Sequence, residues 1–367
     1  MNKRKIAVLF GGRSSEHEIS LISAASVIQH LDQALFEVVP IAIDKQGRWL
    51  LHDIATLNYE DNAIVIDEEA APLSLSLAAN SFNAIADVVF PVIHGENCED
   101  GRLQGVLEAL KIPYVGSGVS GSAVMMDKVL SNYVAEQVGA NVPDWISFRA
   151  QQWEQNKVAL IAEIEEKLTF PMFVKPVVTG SSIGVSKVSV AIDLIAAIEE
   201  AFEFDTHVMV ENGVIGRELE IAVLENIDDI TKPLVSMPGE IVLHHDFYSY
   251  AAKYLDEDAA GLDLSPQLPK GLVGRMQKTA ACLFKAMNAE GLGRADFLYD
   301  DVSDKLYFNE INSLPGFTSI SMYPKMWGEA GLGYKTLLTK LVDLAVARFE
   351  RTSVLKSSPM ELAVENS

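Results

Sequence analysis

The sequence predicts an α/β protein of several domains, led by a parallel sheet covered with helices. Three observations carry this. Short apolar runs alternate with stretches of helical period through the first third, as in βαβ units. The pattern changes after a glycine cluster near residue 120 and a further unit begins near residue 216. Finally, 367 residues, at roughly 100 to 200 residues per domain, give two or three domains. Hydrophobic residues at 49% against 22% charged are the balance of a packed globular chain.

In chain order, Ile6 to Phe10 reads as a buried strand, Ser20 to Leu31 as a helix, Val38 to Ile43 and Val88 to Ile93 as strands, and Gly101 to Leu110 as a helix. Ligands of open parallel sheets bind beyond the carboxyl ends of the strands. The loops Gly11 to Glu18 and His94 to Asp100 both fall there, so they are candidates for one site. Gly116, Gly118 and Gly121 have the spacing of a dinucleotide fingerprint but follow the end of the first sheet instead of its first strand, and a domain-linking turn explains them better. A domain over 1–122 is expected.

A second unit, 123–215, is read from a helix Lys128 to Val138, a helix Trp153 to Leu168, strands Met172 to Pro176 and Val185 to Val188, a helix Ala191 to Phe204 and a strand His207 to Glu211. A third, 216–350, has a strand Glu218 to Leu224, a long irregular segment at 244–269, a helix Gly271 to Met287, two strands near 295 to 311 and a helix Tyr334 to Phe349. Irregular segments of that length often serve as active-site lids. Residues 351–367 lack a core pattern and read as a loose tail.

Composition excludes several functions. A formal charge of −22 argues against a partner held by phosphate neutralisation along a duplex, so nucleic acid is not expected. Two cysteines, Cys98 and Cys282, cannot form a disulfide framework and fit a reducing compartment. The run after Met1 is too short for a signal-peptide core, and no apolar stretch of about 18 residues occurs, so the expected location is cytoplasmic, without membrane partners. His94, Cys98, Glu99 and Asp100, like His244, His245 and Asp246, resemble metal ligands superficially, yet no second ligand group has zinc spacing.

Two constellations carry chemistry. Lys175 stands at a strand end beside Thr179 to Gly184, a loop whose small residues let backbone N–H groups approach an anion, as a triphosphate requires. An ordinary hairpin turn with a surface lysine is the alternative. Further on, Arg294 and Asp296 share one strand face, as do Glu310 and Asn312, and a hairpin centred near 303 brings 296 opposite 310. Two carboxylates and an amide then present hard oxygen ligands on one face, which describes a magnesium-nucleotide site, with Arg294 placed to stabilise developing negative charge. Ala295, Phe297, Phe308 and Ile311 supply the buried side.

With these residues in view the chain resembles the D-alanine–D-alanine ligases of the ATP-grasp superfamily. The likeness runs in the family's order through Gly11 to Ser20, His94–Gly95 with Glu99–Asp100–Gly101, Lys175–Pro176 with Gly180 to Gly184, Phe247–Tyr248 with Lys253–Tyr254, Gly293–Arg294 with Asp296, and Glu310 to Asn312 with Pro315 to Ser319. It covers about residues 4 to 350. The resemblance implies a three-domain ATP-grasp architecture whose N-terminal parallel-sheet domain precedes the grasp. It also implies ATP-dependent joining of two D-alanines through an acyl phosphate, for peptidoglycan precursors. A ligase making D-alanyl-D-lactate or D-alanyl-D-serine on the same scaffold is the alternative. A regulator that has lost turnover and a nicotinamide oxidoreductase are disfavoured.

Carried over by position, the resemblance implies that Lys128 and Lys175 contact ATP phosphates, Glu211 lies near adenine and Glu218 at the ribose. Asp296, Glu310 and Asn312 would hold two Mg²⁺ ions, for which Mn²⁺ could substitute. Glu16 would recognise the first D-alanine's ammonium with His94 nearby, and Ser321 would bind the second substrate's carboxylate, with Lys253 also on the substrate side. Arg294 and the backbone of Gly316 would stabilise the tetrahedral intermediate, while Glu16, Ser181 and Tyr254 would form a hydrogen-bonded network. A homodimer is the expected assembly. Asn97–Cys98, Asn212 and Ser249 depart from the family's usual residues.

Overall fold

The computed structural model describes residues 3–76, 82–243 and 260–355, and three sheets organise them. Strands β1 (Arg4–Gly11), β2 (Phe36–Ile43), β3 (Trp49–Leu51), β6 (Ala71–Pro72) and β7 (Val88–Pro91) form the first in the order β6-β3-β2-β1-β7. The strands β4 (Asn58–Glu60) and β5 (Ala63–Val65) pair separately as a small hairpin. Helix α1 (His17–His30) crosses from β1 to β2, and α2 (Arg102–Leu110) follows β7. The three strands expected from the sequence, β2, β1 and β7, pair in parallel, with a further parallel bridge from Val89 to Tyr114; β3 and β6, which the sequence reading does not include, join antiparallel. The reason is the connection from β2 to β3 at residues 44–48, closed by Asp44 accepting from Gln46 N at 2.9 Å and Arg48 N at 2.8 Å. So short a link permits only an antiparallel return.

Two helices follow, α3 (Val119–Met126) and α4 (Lys128–Gln137). Asp127 separates them and caps α4 by accepting from Val129 N and Leu130 N. Helix α3 was not anticipated, because its Gly121 reads as a turn residue. Glycine is needed there for close approach: a Cβ would fall 2.3 Å from the carbonyl oxygen of Asn288.

The second sheet, β10-β9-β11-β8, uses β8 (Trp145–Arg149), β9 (Met172–Pro176), β10 (Ser186–Val188) and β11 (His207–Asn212), all antiparallel, covered by α5 (Ala150–Lys167) and α6 (Leu194–Ala201). Strand β8 is an addition to the expected elements. The third sheet runs β15-β14-β12-β16-β17, with β12 (Arg217–Leu224), β14 (Gly239–Leu243), β15 (Ala260–Asp263), β16 (Leu292–Asp300) and β17 (Lys305–Asn312), while β13 (Leu234–Val235) pairs with β12. Strand β15 lies within the 244–269 segment expected to be irregular; residues 244–259 lie outside the described ones. Helix α7 (Leu272–Ala286) packs on this sheet.

The chain closes with α8 (Met322–Glu329) and α9 (Tyr334–Ser353). Helix α8 escaped the sequence reading because Pro324 suggests a break, yet with Ser321 as N-cap it falls in the first turn, where proline is tolerated. Helix α9 runs to Ser353, so the first residues of the supposed tail are helical.

Packing does not follow chain order. Residues of α8 and α9 such as Trp327, Leu337 and Leu341 share one core with Val8, Phe10 and Phe90 of the first sheet. Met125 and Ala135, from α3 and α4, belong to the core of the third. Arg348 of α9 fastens this joint: buried, it donates to the carbonyls of Gly116 and Tyr114 (3.0 Å to the latter), lies 4.1 Å from the Tyr114 ring centroid and sits 3.6 Å from Glu290. Arg348→Ala strands two carbonyls and a half-buried carboxylate, so urea unfolding should show a loss of about 3–5 kcal/mol. A loss under about 1 kcal/mol, the range of an exposed ion pair, would mean the joint holds without it.

Candidate active site

The carboxyl ends of β1 and β7 bring their loops together. Ser15 donates from N and Oγ to Glu96, each at 3.0 Å, and Asn97 Nδ2 donates to the Arg13 carbonyl at 3.0 Å. The unusual Asn97 has φ of 69° and is further held by Arg102 Nη1 at 3.0 Å, so its loop is tied at both ends. Cys98 acts as apolar filling; burial and the neighbouring carboxylates push its thiol well up, out of the reactive range.

Glu16 sits at the N-cap of α1 with only 5% of its surface exposed, and Ser181 Oγ donates to its Oε1. The two lie 165 residues apart in sequence. Small residues permit the approach: a Cβ on Gly180 would come 2.8 Å from Glu16 Oε2, and one on Gly95 2.7 Å. Glu99, equally buried, accepts from Gly95 N at 3.0 Å. Burial and the adjacent Glu16 raise its pKa well above the usual carboxylate value.

His94 is clamped between Leu314 O, 3.2 Å from Nδ1, and Ser23 Oγ, 3.0 Å from Nε2. Burial lowers its pKa to about 4, with Arg294 adding to the effect, so the ring is neutral near pH 7. Nδ1 then donates to the carbonyl and Nε2 accepts from serine. Because the unfolded histidine titrates near 6.5, the unfolded chain binds a proton the folded one refuses, and stability falls as pH drops from 6.5 towards 4. This one group accounts for about 3 kcal/mol of that fall. Urea melts across that window should show a shallower loss for His94→Gln; identical slopes would place the titration elsewhere.

The hairpin reading holds in detail. Asp296 opposes Glu310 and Arg294 opposes Asn312, with a bulge between Asp296 and Phe297. Arg294 forks onto Asp296, Nε to Oδ1 at 2.8 Å and Nη2 to Oδ2 at 2.7 Å, and Asn312 Nδ2 donates to Asp296 Oδ2 at 2.9 Å. Burial opposes the Arg294 charge, but Asp296 and Glu220 outweigh it and hold its pKa well above the ordinary value. Glu310 lies 3.9 Å from Lys128 Nζ, which donates to Thr179 O at 2.5 Å. Among the described residues no three His, Cys, Asp or Glu side chains cluster as a metal site. The two carboxylates and the amide, whose oxygen can turn inward, nevertheless offer only oxygen, the donor chemistry of a hard divalent cation.

Lys175 Nζ pairs with Glu211 Oε1 at 2.5 Å and reaches Asn309 Oδ1 at 3.4 Å, bridging the second and third sheets. Asn212, the second departure, accepts from Thr169 N at 2.7 Å and donates to Asp144 at 3.3 Å, a role within the fold. Glu218 is half-buried on β12, on the face it shares with Glu220. Gly316 and Ser321 are neighbours: Ser321 Oγ accepts from Thr318 N at 3.0 Å, and a Cβ on Gly316 would stand 2.8 Å from it. Ser313 Oγ donates to Glu99 O at 3.3 Å, joining this loop to the first sheet. Lys253, Tyr254 and Ser249 lie outside the described residues.

Sequence reading missed Glu220 and Asn309 as members of the site, and it marked Glu99 only as part of the loop His94 to Asp100. Glu220 could have been found by its two-residue spacing from Glu218, which puts both on one strand face. Nothing local marks Asn309.

A family model described as D-ala D-ala ligase N-terminus matches residues 5–117, and one described as D-ala D-ala ligase C-terminus matches residues 134–343. The D-alanine–D-alanine ligase A of Bradyrhizobium diazoefficiens is 42% identical over 370 residues, covering 97% of this chain and 98% of that protein. The D-alanine–D-alanine ligase of Oceanobacillus iheyensis is 41% identical, covering 97% and 99%. Among solved structures, the D-alanine-D-alanine ligase from Coxiella burnetii superposes with a TM-score of 0.81 at 34% identity, over 96% of this chain and 97% of its own. The VanG D-Ala:D-Ser ligase from Enterococcus faecalis does so at 0.80 and 35%, over 94% and 100%.

Proposed function

The chain belongs to the D-alanine–D-alanine ligase family, and on that premise we propose that it joins two D-alanine molecules into D-alanyl-D-alanine while ATP becomes ADP and phosphate. The observation that carries this reading is a convergence. His94 and Glu99, in the loop after β7, touch Leu314 and Ser313 just beyond the Arg294–Asp296–Glu310–Asn312 hairpin, the charge of Arg294 reaches both, and Glu16 lies beside Glu99.

In the reaction, a carboxylate oxygen of the first D-alanine attacks the γ-phosphorus, the bond to the β–γ bridging oxygen breaks, and ADP leaves. The second D-alanine gives up an ammonium proton and its amine attacks the carbonyl carbon of the acyl phosphate. The tetrahedral oxyanion then collapses, the carbon–oxygen bond to phosphate breaks, and the nitrogen sheds a further proton. Glu16, fixed by Ser181, would hold the first ammonium; neutral His94 would border that subsite without adding charge. Lys128 and Lys175 would grip the phosphates, and Glu211 and Glu218 the adenosine. Arg294 and the Gly316 N–H would stabilise the oxyanion, and Ser321 would take the second carboxylate. Lys253 and Tyr254 would complete the acceptor side.

Asp296, Glu310 and Asn312 would hold two Mg²⁺ ions, with Mn²⁺ able to stand in; when bound, such ions neutralise charge on the transferring phosphoryl group. The product would serve peptidoglycan precursor synthesis in the cytoplasm, and the assembly would be a homodimer. Among the described residues no helix is long and apolar enough to cross a membrane.

ADP release assayed with D-alanine, D-serine, D-lactate and L-alanine, with products weighed by mass spectrometry, tests the reading. D-Alanyl-D-alanine should dominate. A mixed dipeptide with D-serine, the activity in the name of one structural neighbour, or ADP release indifferent to D-alanine would overturn it.

A further inference from the structure

Arg294 makes ion pairs with Asp296 and Glu220, and of these two Asp296 alone belongs to the proposed cation set. Strands β12 and β16 pair so that Glu220 stands directly opposite Asp296. Glu220 Oε2 lies 3.1 Å from Arg294 Nε, with a side chain 12% exposed. Yet Nε carries a single hydrogen, and that hydrogen is directed at Asp296 Oδ1, 2.8 Å away. Glu220 therefore holds Arg294 by charge, while Asp296 holds its hydrogen bonds.

Asp296 is heavily committed in this arrangement. The guanidinium fork engages both of its oxygens and Asn312 takes a further position on Oδ2, so most of its lone pairs are used. A divalent cation at Asp296 would compete for the same lone pairs and meet the guanidinium's positive charge. Releasing Arg294 without another anion would leave a buried, uncompensated charge, at a cost of several kcal/mol. The opposing strand supplies that anion already in place.

We propose that Glu220 is a positioning residue that takes over the charge of Arg294 when a divalent cation is held at Asp296, freeing the guanidinium to turn towards the reacting groups. This rests on the reading of Asp296 as a cation ligand. It predicts that the cation and Arg294 are coupled through Glu220, a residue outside the proposed cation set.

The test uses Mn²⁺ with a saturating non-hydrolysable ATP analogue, followed by electron paramagnetic resonance of free and bound Mn²⁺. Glu220→Gln keeps the volume and removes the alternative anion, so Mn²⁺ affinity should fall about tenfold or more. Unchanged affinity would overturn the proposal. In an Arg294→Gln background the same substitution should have no further effect; an equal loss there would mean that Glu220 acts on the cation directly, which also overturns it. A second measurement needs no folded variant of this cluster. The Nε–H resonance of Arg294 in the unaltered protein should shift when Mg²⁺ joins the analogue, and a resonance that stays put refutes the exchange. If the unaltered protein binds no Mn²⁺ at all, the cation assignment itself falls.

Discussion

Arg294→Lys is expected to lower kcat about 10²–10³-fold while leaving ATP affinity within a few-fold of its starting value. The substitution keeps the positive charge that Asp296 and Glu220 require, so the buried carboxylates stay compensated and the fold should survive. What it removes is the planar fork: an ammonium cannot reproduce the paired hydrogen bonds from Nε and Nη2, nor present two parallel donors to an oxyanion. An interaction made chiefly in the transition state lowers kcat and kcat/KM together. Steady-state kinetics with separate titrations of ATP and D-alanine would show this. A rise in KM for ATP with kcat intact would reassign Arg294 to ground-state nucleotide binding.

Glu310→Gln should cost about a hundredfold to a thousandfold in turnover, because a cation's charge stabilisation is worth several kcal/mol and each 1.36 kcal/mol is tenfold in rate. The amide preserves volume and one acceptor oxygen but removes the carboxylate that faces Asp296 across the ladder and lies 3.9 Å from Lys128. Stability should barely move, since the Glu310 side chain is 27% exposed and its ion pair is long. The diagnostic is a Mg²⁺ titration at saturating ATP and D-alanine: the half-saturating Mg²⁺ should rise along with the fall in kcat. Normal turnover of the folded variant at limiting Mg²⁺ would remove Glu310 from the cation set.

The departures from the family pattern that can be seen prove to be local matters. Asn97 ties its loop to Arg13 and Arg102, and Asn212 ties the end of β11 to Thr169 and Asp144. Both replace neighbours of chemistry-bearing residues, and each finds partners without displacing Glu16 or Glu211.

By itself the sequence determined the features that depend on a few consecutive residues. The hairpin register was legible because alternation of period 2 and the aspartate-rich turn at 300–304 fix which side chains share a face, and Asp296 indeed meets Glu310. The strand carrying Lys175 was legible for the same reason, with bounds of Met172–Pro176. Tertiary structure alone decided which elements share a core and which charges meet. Helices α3 and α4 precede the second sheet in the chain but pack with the third, and α8 and α9, at the far end, cover the first. Edge strand β8 owes its state to pairing with β11 more than to its own short pattern. Glu16 with Ser181, Lys175 with Asn309 and Glu220 with Arg294 are separated by 165, 134 and 74 positions, so no local period reports them. Burial sets their chemistry as well: a neutral His94 and a permanently charged Arg294 follow from how much water and which carboxylates the packed chain leaves beside each.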